Sequence, residues 1–349
     1  MAEHLAFVCS TDSEDAGVYG VRVETESGDL RRTDALAVAR PTYLAAHPDG
    51  STLYAANRDA GGRVAAFDVD HDAGALTRLS DADSGGAGPC YVSVDPAGRF
   101  VYAANYDAGT VAMCPLADDG RPGAPTAVVE HEGSGVVDGR QDAPHPHSVV
   151  PSPSGAFVYA PDLGTDRVVA YRVDGPNGTL VPVPEADAVL PDGSGPRHLA
   201  FAPDGETAYV VNELEATLTA LAVDGRGRLS ARAHVRTLPA GVDAATTKGA
   251  DVHVHPSGRW VYASIRGHDV VSVIDARDPD ALELLTTVST DGVKPRDIVL
   301  DPTGSLLLAE NRDSDTLVAF SVDEESGALE RTGTACSIPR PTCAAFVGN

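Results

Sequence analysis

A unit that recurs six times along the chain constrains the fold more than any other feature of the sequence. Residues 41–69 read PTYLAAHPDGSTLYAANRDAGGRVAAFDV, and residues 89–116 repeat the pattern as PCYVSVDPAGRFVYAANYDAGTVAMCPL. Successive units begin roughly 50 residues apart, a period typical of propellers and of large solenoid repeats. The further copies lie at 146–173, 196–221, 250–274 and 295–322.

Each unit has the pattern of four short strands. A strand such as YLAAH ends at a Pro-x-Gly turn, and a second strand rich in Val, Tyr and Ala follows it. A polar Asp/Gly turn, a third strand and a more polar fourth strand complete the unit. Apolar side chains alternate with a period of two, which indicates strands and not helices. Four antiparallel strands in each unit predict the blade of a β-propeller.

The two ends of the chain supply the parts of one more blade. Residues 339–347, PRPTCAAFV, resemble a first strand without a second. Residues 4–10, 17–23 and 30–37 resemble strands two, three and four without a first. Pairing these segments would leave no open sheet edge. We therefore predict an all-β, seven-bladed β-propeller, with four antiparallel strands per blade, one domain over 1–349, and a ring closed by the N- and C-terminal strands.

Charge and composition exclude several classes of function. The chain carries 51 acidic and 26 basic residues, a net charge of −25, which would repel nucleic acid. No apolar run is long enough for a signal peptide or a membrane span. Five cysteines without a CxxC motif predict neither a disulfide framework nor a zinc site. We expect a cytoplasmic protein of a high-salt host, without nucleic-acid or membrane partners, as a monomer or weak homo-oligomer.

Alignment of the units on their turn proline places polar side chains at one mouth of the central channel. The first strand starts where the antiparallel second strand ends, so both positions lie at the same end of a blade. Basic residues are scarce in this chain, and their concentration at one opening predicts a pocket for a small anion. The residues expected there are His147, His198, Arg197, Arg266, Arg296, Arg312, Arg58, Glu213, Asp162 and Asp251.

These positions do not all predict function. The column Asn57, Asn105, Asn212 and Asn311 occurs in most units, which favours structural ties between blades. Cys90 also faces the mouth, but nothing marks it as an activated thiol. His145 fits either a mouth-lining loop or a solvated turn. Arg58 and Arg312 fit either a structural tie between blades or a functional role. The residues that break their own columns in size or charge are the stronger catalytic candidates: His147, Arg197, Glu213 and Arg266.

The longest connection between units, 131–147, reads HEGSGVVDGRQDAPHPH and ends at His147. Its glycines suggest a pliable segment, and we predict that it forms a rim or lid over the basic opening. A solvent-exposed insertion without a role is the alternative.

Four motifs resemble the seven-bladed propeller lactonases, which include the propeller-type 6-phosphogluconolactonases and the fungal carboxymuconate-lactonizing enzyme. They are PHPHSVVPSPSGAFVYAPDLGTDRV (144–168), GPRHLAFAPDGETAYVVNELEATL (195–218), KGADVHVHPSGRWVYASIRGHDVVSV (248–273) and KPRDIVLDPTGSLLLAENRDSD (294–315). The resemblance implies that His147, Arg197, Glu213 and Arg266 form the catalytic group. One departure is Ile265, where related sequences tend to have Asn.

The resemblance implies hydrolysis of a small anionic sugar lactone, most closely a 6-phosphogluconolactone. His147 or Glu213 would be the general base, and the arginines would bind the substrate anion or the developing oxyanion. No acidic cluster with spare ligands marks the channel in the sequence, so we expect neither a metal nor another cofactor. Further substrate contacts are expected from His145, Asp162, His198, Asp251, Arg296 and Arg312.

Two other functions remain open at this point. The same residues could form a lactone from a carboxymuconate-like dicarboxylate, as a cycloisomerase does. A propeller of this kind could instead bind a protein partner without catalysis, which a wide, flat, apolar face would favour over a deep basic pocket.

Overall fold

The computed structural model describes residues 3–11, 14–59, 61–242 and 246–348, and its strands form seven antiparallel sheets in those ranges. Strands are numbered along the chain, and blades 1 to 6 follow the repeats from residue 41. The closing blade contains β1 (Glu3–Ser10), β2 (Gly17–Glu24), β3 (Leu30–Ala37) and β29 (Pro341–Val347). Blade 1 contains β4 (Pro41–Ala46), β5 (Thr52–Asn57), β6 (Arg63–Asp70) and β7 (Ala75–Asp83).

Blade 2 contains β8 (Pro89–Val94), β9 (Phe100–Asn105), β10 (Thr110–Pro115) and β11 (Ala127–Glu130). Blade 3 contains β12 (Val150–Pro151), β13 (Phe157–Asp162), β14 (Arg167–Asp174), β15 (Thr179–Pro182) and β16 (Ala188–Val189). Blade 4 contains β17 (Pro196–Phe201), β18 (Thr207–Asn212), β19 (Thr217–Val223) and β20 (Leu229–Arg236). Blade 5 contains β21 (Lys248–Val254), β22 (Trp260–Arg266), β23 (Val270–Asp275) and β24 (Glu283–Ser289). Blade 6 contains β25 (Pro295–Leu300), β26 (Leu306–Asn311), β27 (Thr316–Val322) and β28 (Leu329–Ser337).

The ring closes where the prediction placed the closure. Strand β29 pairs antiparallel with β1, from Leu5 opposite Val347 to Cys9 opposite Cys343. The first strand of the closing blade therefore comes from the C-terminal end of the chain and the other three from the N-terminal end. This confirms the predicted seven-bladed propeller and its closure by the terminal strands.

The core lies between neighbouring blades, because the second strand of each blade is buried on both faces. Tyrosines of these strands reach across to the next blade: the Tyr54 hydroxyl donates to the Gly120 carbonyl at 2.8 Å, and the Tyr159 hydroxyl to the Gly227 carbonyl at 2.9 Å. Two members of the asparagine column tie neighbouring blades together: the Asn105 side chain donates to the Ser84 carbonyl at 2.8 Å and the Asn311 side chain to the Thr290 carbonyl at 2.9 Å. Asn212 instead donates within its own blade, to Thr217 and Thr219. Ser84 directly follows the last strand of the preceding blade.

A β-bulge lies at the start of the first strand in blades 1, 2, 4, 5 and 6. The register shifts between Pro89 and Tyr91 in blade 2 and between Pro196 and His198 in blade 4, and blades 1, 5 and 6 have similar shifts. A bulge inserts one unpaired residue and redirects the side chains beside it. Both neighbouring columns of the alignment can therefore approach the channel axis.

All five cysteines are buried free thiols in the structure. Among the described residues, no helix has the length and apolar character needed to span a membrane.

Candidate active site

Prolines place His147 at the channel mouth. Strand β12 is only two residues long, and a single bridge pairs Pro146 with Asp162 ahead of it. Pro144 and Pro146 have no N–H to donate, so they cannot extend the strand pairing. The His147 N–H donates to the Pro161 carbonyl at 2.9 Å, and this hydrogen bond holds the backbone of His147 against β13. The side chain is only 6% exposed, at the inner end of the 131–147 segment.

The imidazole of His147 has few protein contacts. Its Nδ1 lies 3.8 Å from the Cys90 Sγ, the one hydrogen-bond partner of the ring among the described residues. The rings of Tyr106 and His198 contact it edge-on, with centroids 5.3 and 5.4 Å away. Burial lowers the pKa of His147 well below its usual value, and the positive charge of Arg197 lowers it further. The imidazole is therefore neutral near pH 7.

Glu213 follows β18 directly and is surrounded by arginines. Its Oε2 lies 2.8 Å from Arg266 Nη2 and 3.3 Å from Arg197 Nε, and its Oε1 lies 2.6 Å from Arg140 Nη2. The Arg197 contact is an ion pair without the alignment of a hydrogen bond, since that Nε has no hydrogen-bond acceptor. Glu213 thus joins three guanidinium groups from different parts of the ring.

The arginines decide the protonation state of Glu213. Burial alone would raise the pKa of this carboxyl group, but Arg266 and then Arg197 and Arg140 lower the pKa well below its usual value. An ionised carboxylate whose two oxygens both face guanidiniums is a weak proton acceptor. Of the two candidate bases predicted from the sequence, His147 is the one without an ion-pair partner, whereas both oxygens of Glu213 are paired with arginines.

Two of these arginines are held by backbone carbonyls as well. Arg197, only 2% exposed, donates through Nη1 to the carbonyl of Ala250 in the next blade. Arg266 donates through Nη2 to the Gly249 carbonyl at 2.7 Å. Both guanidiniums are therefore positioned before any substrate arrives. The structure brings together all four residues predicted to be catalytic.

A cavity of about 390 Å³ opens beside this cluster and is lined mainly by basic side chains. Arg266 is the catalytic candidate that lines it. Arg296 also lines it, and its guanidinium has no hydrogen-bond or ion-pair partner among the described residues. The full lining is Thr11, Arg40, Thr42, Arg58, Arg266, Lys294, Arg296, Arg312 and Thr342. This is the basic pocket that the sequence predicted, in a protein whose net charge is −25.

Two of these cations were not predicted from the sequence. Arg40 and Lys294 both precede the proline that starts a first strand, and both adopt left-handed backbone conformations, with φ of 46° and 63°. Blades 2 and 4 have Gly88 and Gly195 at this position, with φ of 70° and 62°. A non-glycine residue in this conformation costs about 1–2 kcal/mol. A cation at a position where other blades have glycine is the sequence signal that could have identified Arg40 and Lys294.

The 131–147 segment lies over Glu213, as a rim would. Its Arg140 makes the 2.6 Å contact to Glu213 while its side chain is still about one-third exposed, at 32%. Gln141 anchors the segment: its Nε2 donates to the Leu163 carbonyl and to Asp166 Oδ1, both at 2.8 Å. The glycine content had suggested a pliable segment, but these buried hydrogen bonds hold it in place. No pattern in the sequence had marked Arg140.

Two residues predicted to contact substrate, Asp162 and His145, make protein contacts that support this segment. Asp162 accepts from the His145 and Gly164 N–H groups at 2.8 and 2.9 Å, and its second oxygen lies 2.6 Å from His131 Nδ1. The carboxylate is fully buried, and both of its oxygens have hydrogen-bond partners. His145 stacks on Tyr106 at 4.3 Å, and its Nδ1 lies 2.9 Å from the Tyr106 carbonyl. Neither side chain lines the basic cavity.

His198 and Asp251 form a second, deeper layer. His198 Nδ1 lies 2.6 Å from Asp251 Oδ1, and both side chains are buried. Asp297 joins them, and atoms of the three residues that could ligate a metal lie within 4.8 Å of one another. No acidic cluster was predicted at the channel from the sequence, and that prediction was wrong. The three residues share one column of the alignment, at the same position in the first strands of three consecutive blades, so the ring brings them together near its axis.

Of the other predicted substrate contacts, Arg296 and Arg312 line the cavity. Arg312 Nη1 is paired with Asp313 Oδ1 at 3.0 Å, and Arg58 is paired with Asp107. Arg296 and Arg40 are the cavity arginines whose guanidiniums have no hydrogen-bond or ion-pair partner among the described residues.

Comparison with known proteins agrees with this arrangement. The family model described as "Lactonase, 7-bladed beta-propeller" matches residues 4–346. A 6-phosphogluconolactonase of Bacillus subtilis is 34% identical, covering 99% of each chain. A 6-phosphogluconolactonase of Formosa agariphila is 29% identical and covers 90% of this chain and 91% of its own.

A solved structure of similar shape is the periplasmic gluconolactonase of Pseudomonas aeruginosa. It superposes with a TM-score of 0.93 at 29% identity and covers 99% of both chains. On these matches, and on the fold and site described above, the chain belongs to the seven-bladed β-propeller lactonase family.

Proposed function

We propose that this protein hydrolyses a small anionic sugar lactone of the 6-phosphogluconolactone type at the basic mouth of the channel. The observation that carries the proposal is the 390 Å³ cavity lined by cations, which meets the His147–Glu213–arginine cluster at Arg266. Arginine guanidiniums bind phosphate and carboxylate through paired hydrogen bonds. The names of the relatives, 6-phosphogluconolactonase and gluconolactonase, support the same substrate class.

In the proposed mechanism His147 is the general base. It removes a proton from water while the water oxygen attacks the lactone carbonyl carbon, and Arg197 and Arg266 stabilise the oxyanion that forms. The ring C–O bond then breaks, and the leaving alkoxide takes the proton back from the His147 imidazolium. The product is the open hydroxy acid. Glu213 keeps the two arginines in position, and no step requires a metal or another cofactor.

The polar contacts support further roles for four of the other predicted residues. Arg296 and Arg312 bind the substrate phosphate or carboxylate from the cavity wall. His145 and Asp162 position the 131–147 segment, and thereby His147. We also propose a cytoplasmic location in a high-salt host and a monomer or weak homo-oligomer, supported by the net charge of −25.

A substrate panel tests the proposal. The purified protein, kept in concentrated KCl, is assayed against 6-phosphogluconolactone, gluconolactone and a carboxymuconate. We expect the highest kcat/KM with the phosphorylated lactone. Arg296→Ala should raise KM for that lactone at least tenfold and change KM for gluconolactone little, because loss of a charge-assisted contact weakens binding by about 1.5–3 kcal/mol. Turnover of the carboxymuconate alone would favour the cycloisomerase, and no turnover of any lactone would refute the proposal.

A further inference from the structure

Three acidic side chains lie buried beneath the arginine cluster. Asp251 comes from β21, Asp297 from β25 and Glu310 from β26, and none is more than 2% exposed. His198 of β17 completes the group, whose residues come from blades 4, 5 and 6. Ligating atoms of His198, Asp251 and Asp297 lie within 4.8 Å of one another, a spacing that one ion bonded at about 2.0–2.4 Å can span.

Several polar atoms of this group have no partner. Asp297 Oδ1, both carboxylate oxygens of Glu310 and His198 Nε2 are buried without a hydrogen bond among the described residues. Buried polar atoms in folded proteins are nearly always paired, so these unpaired atoms indicate a missing partner such as a bound ion. Asp251 differs, because its oxygens lie near His198, His253 and the Ile298 N–H.

The chemistry of the group defines what can bind. Three buried carboxyl groups lie near one imidazole, and neither Asp297 nor Glu310 has an ion-pair partner among the described residues. Carboxylate oxygens and imidazole nitrogens are ligands that divalent metal ions take from proteins.

We propose that His198, Asp251 and Asp297, with Glu310 beside them, bind one divalent metal ion in the channel beneath the active site. A donor set of one imidazole and several carboxylate oxygens suits Mn²⁺ or Zn²⁺. The ion ties together the first strands of blades 4, 5 and 6. It fixes His198, whose ring packs against His147 with centroids 5.4 Å apart. None of these ligands lines the basic cavity, so the ion does not touch the substrate.

The test counts bound metal directly. The full-length protein is stripped with a chelator, returned to concentrated KCl to suppress binding of divalent ions to its acidic surface, and titrated with Mn²⁺ while free Mn²⁺ is followed by electron paramagnetic resonance. A second titration uses Zn²⁺ against a chromophoric chelator. We expect one ion per chain and a higher melting temperature when it is bound.

Two variants locate the site. Asp297→Asn and Glu310→Gln should each weaken binding at least tenfold, whereas Glu325→Gln, the same change on an exposed turn, should bind like the wild type. Two variants are used because either one alone could fold poorly. Wild-type protein that binds neither ion in concentrated KCl, or binding in both buried variants that equals that of the wild type and Glu325→Gln, would overturn the proposal. Since binding is measured without lactone, failure here is independent of the proposed hydrolysis.

Discussion

Replacement of Glu213 by glutamine tests the arginine cluster most sharply, because the shape of the side chain is kept and its charge is lost. Removal of one partner of a buried ion pair costs about 3–5 kcal/mol, since the other charge is left uncompensated. Arg197 and Arg266 are the buried partners here, at 2% and 12% side-chain exposure. Arg140, 32% exposed, adds at most about 1 kcal/mol because water screens it.

The expected loss is about 3 kcal/mol, since the glutamine amide keeps one hydrogen-bond acceptor near the arginines. With an unfolding entropy of about 2.1 cal/mol/K per residue, this lowers the melting temperature by about 4 °C. Activity should fall as well, because the two arginines that stabilise the oxyanion lose their position. The measurements are denaturant unfolding and kcat/KM on the same preparations.

Asp280→Asn is the matched control. Asp280 pairs with Arg232 at 2.9 Å on the surface, where its side chain is 63% exposed, so the change should alter stability by less than about 0.5 kcal/mol. If Glu213→Gln is as stable as this control, the guanidiniums do not depend on Glu213, and the electrostatic account of the site is wrong.

The stabilisation that Glu213 provides should also depend on pH. The folded pKa of Glu213 lies below the value of about 4.3 for an unfolded glutamate, so its stabilisation is complete above that pH and is lost as the pH falls through the folded value. The difference in unfolding free energy between wild type and Glu213→Gln should therefore be constant from pH 7 to pH 5 and shrink in stronger acid. A difference that grows on acidification would contradict the assignment.

Three further predictions concern the ring, the surface and the cavity. Deletion of residues 338–349 removes β29 and should abolish the cooperative melting transition; a truncated chain that melts like the full one would contradict closure as one domain. Melting temperature should rise with KCl, because the screening length falls from about 10 Å at 0.1 M to about 3 Å at 1 M, and a flat curve would refute this. Arg40→Gly should relieve a left-handed φ of 46°, so the melting temperature should be unchanged or higher, while KM for the phosphorylated lactone should rise because a cation is lost from the cavity. A lower melting temperature with an unchanged KM would contradict this prediction.

The fold was predictable because its information is local and repeated. Each Pro-x-Gly turn and each alternating run marks a strand without reference to distant residues. The closure of the ring followed from two complementary fragments, residues 339–347 and 4–10, and β29 pairs with β1 as predicted. The catalytic candidates were predictable for a related reason: repeats provide an internal alignment, in which His147 and Glu213 depart from their columns.

The sequence could not show how deeply a side chain is buried or which distant residues it contacts. The columns placed Asp162, His198 and Asp251 at the mouth, but their side chains are buried behind or beneath it, because bulges and the packing of the loop decide which way they point. Arg140 reaches Glu213 from 73 residues earlier in the chain, through a loop without periodicity. The acidic cluster around Asp297 arises only when three blades converge on the axis.

The most direct test of the central claim is the activity of His147→Ala against 6-phosphogluconolactone, expressed per folded molecule. If His147 is the base at the mouth, kcat/KM should fall about a hundredfold or more while the protein stays folded. Asn105→Ala is the comparison: it removes the side-chain hydrogen bonds to Ser84 and Thr110, and it should lower the melting temperature with little change in activity. Full turnover by His147→Ala, or a loss of activity explained entirely by unfolding, would show that the lactone is not opened at this site.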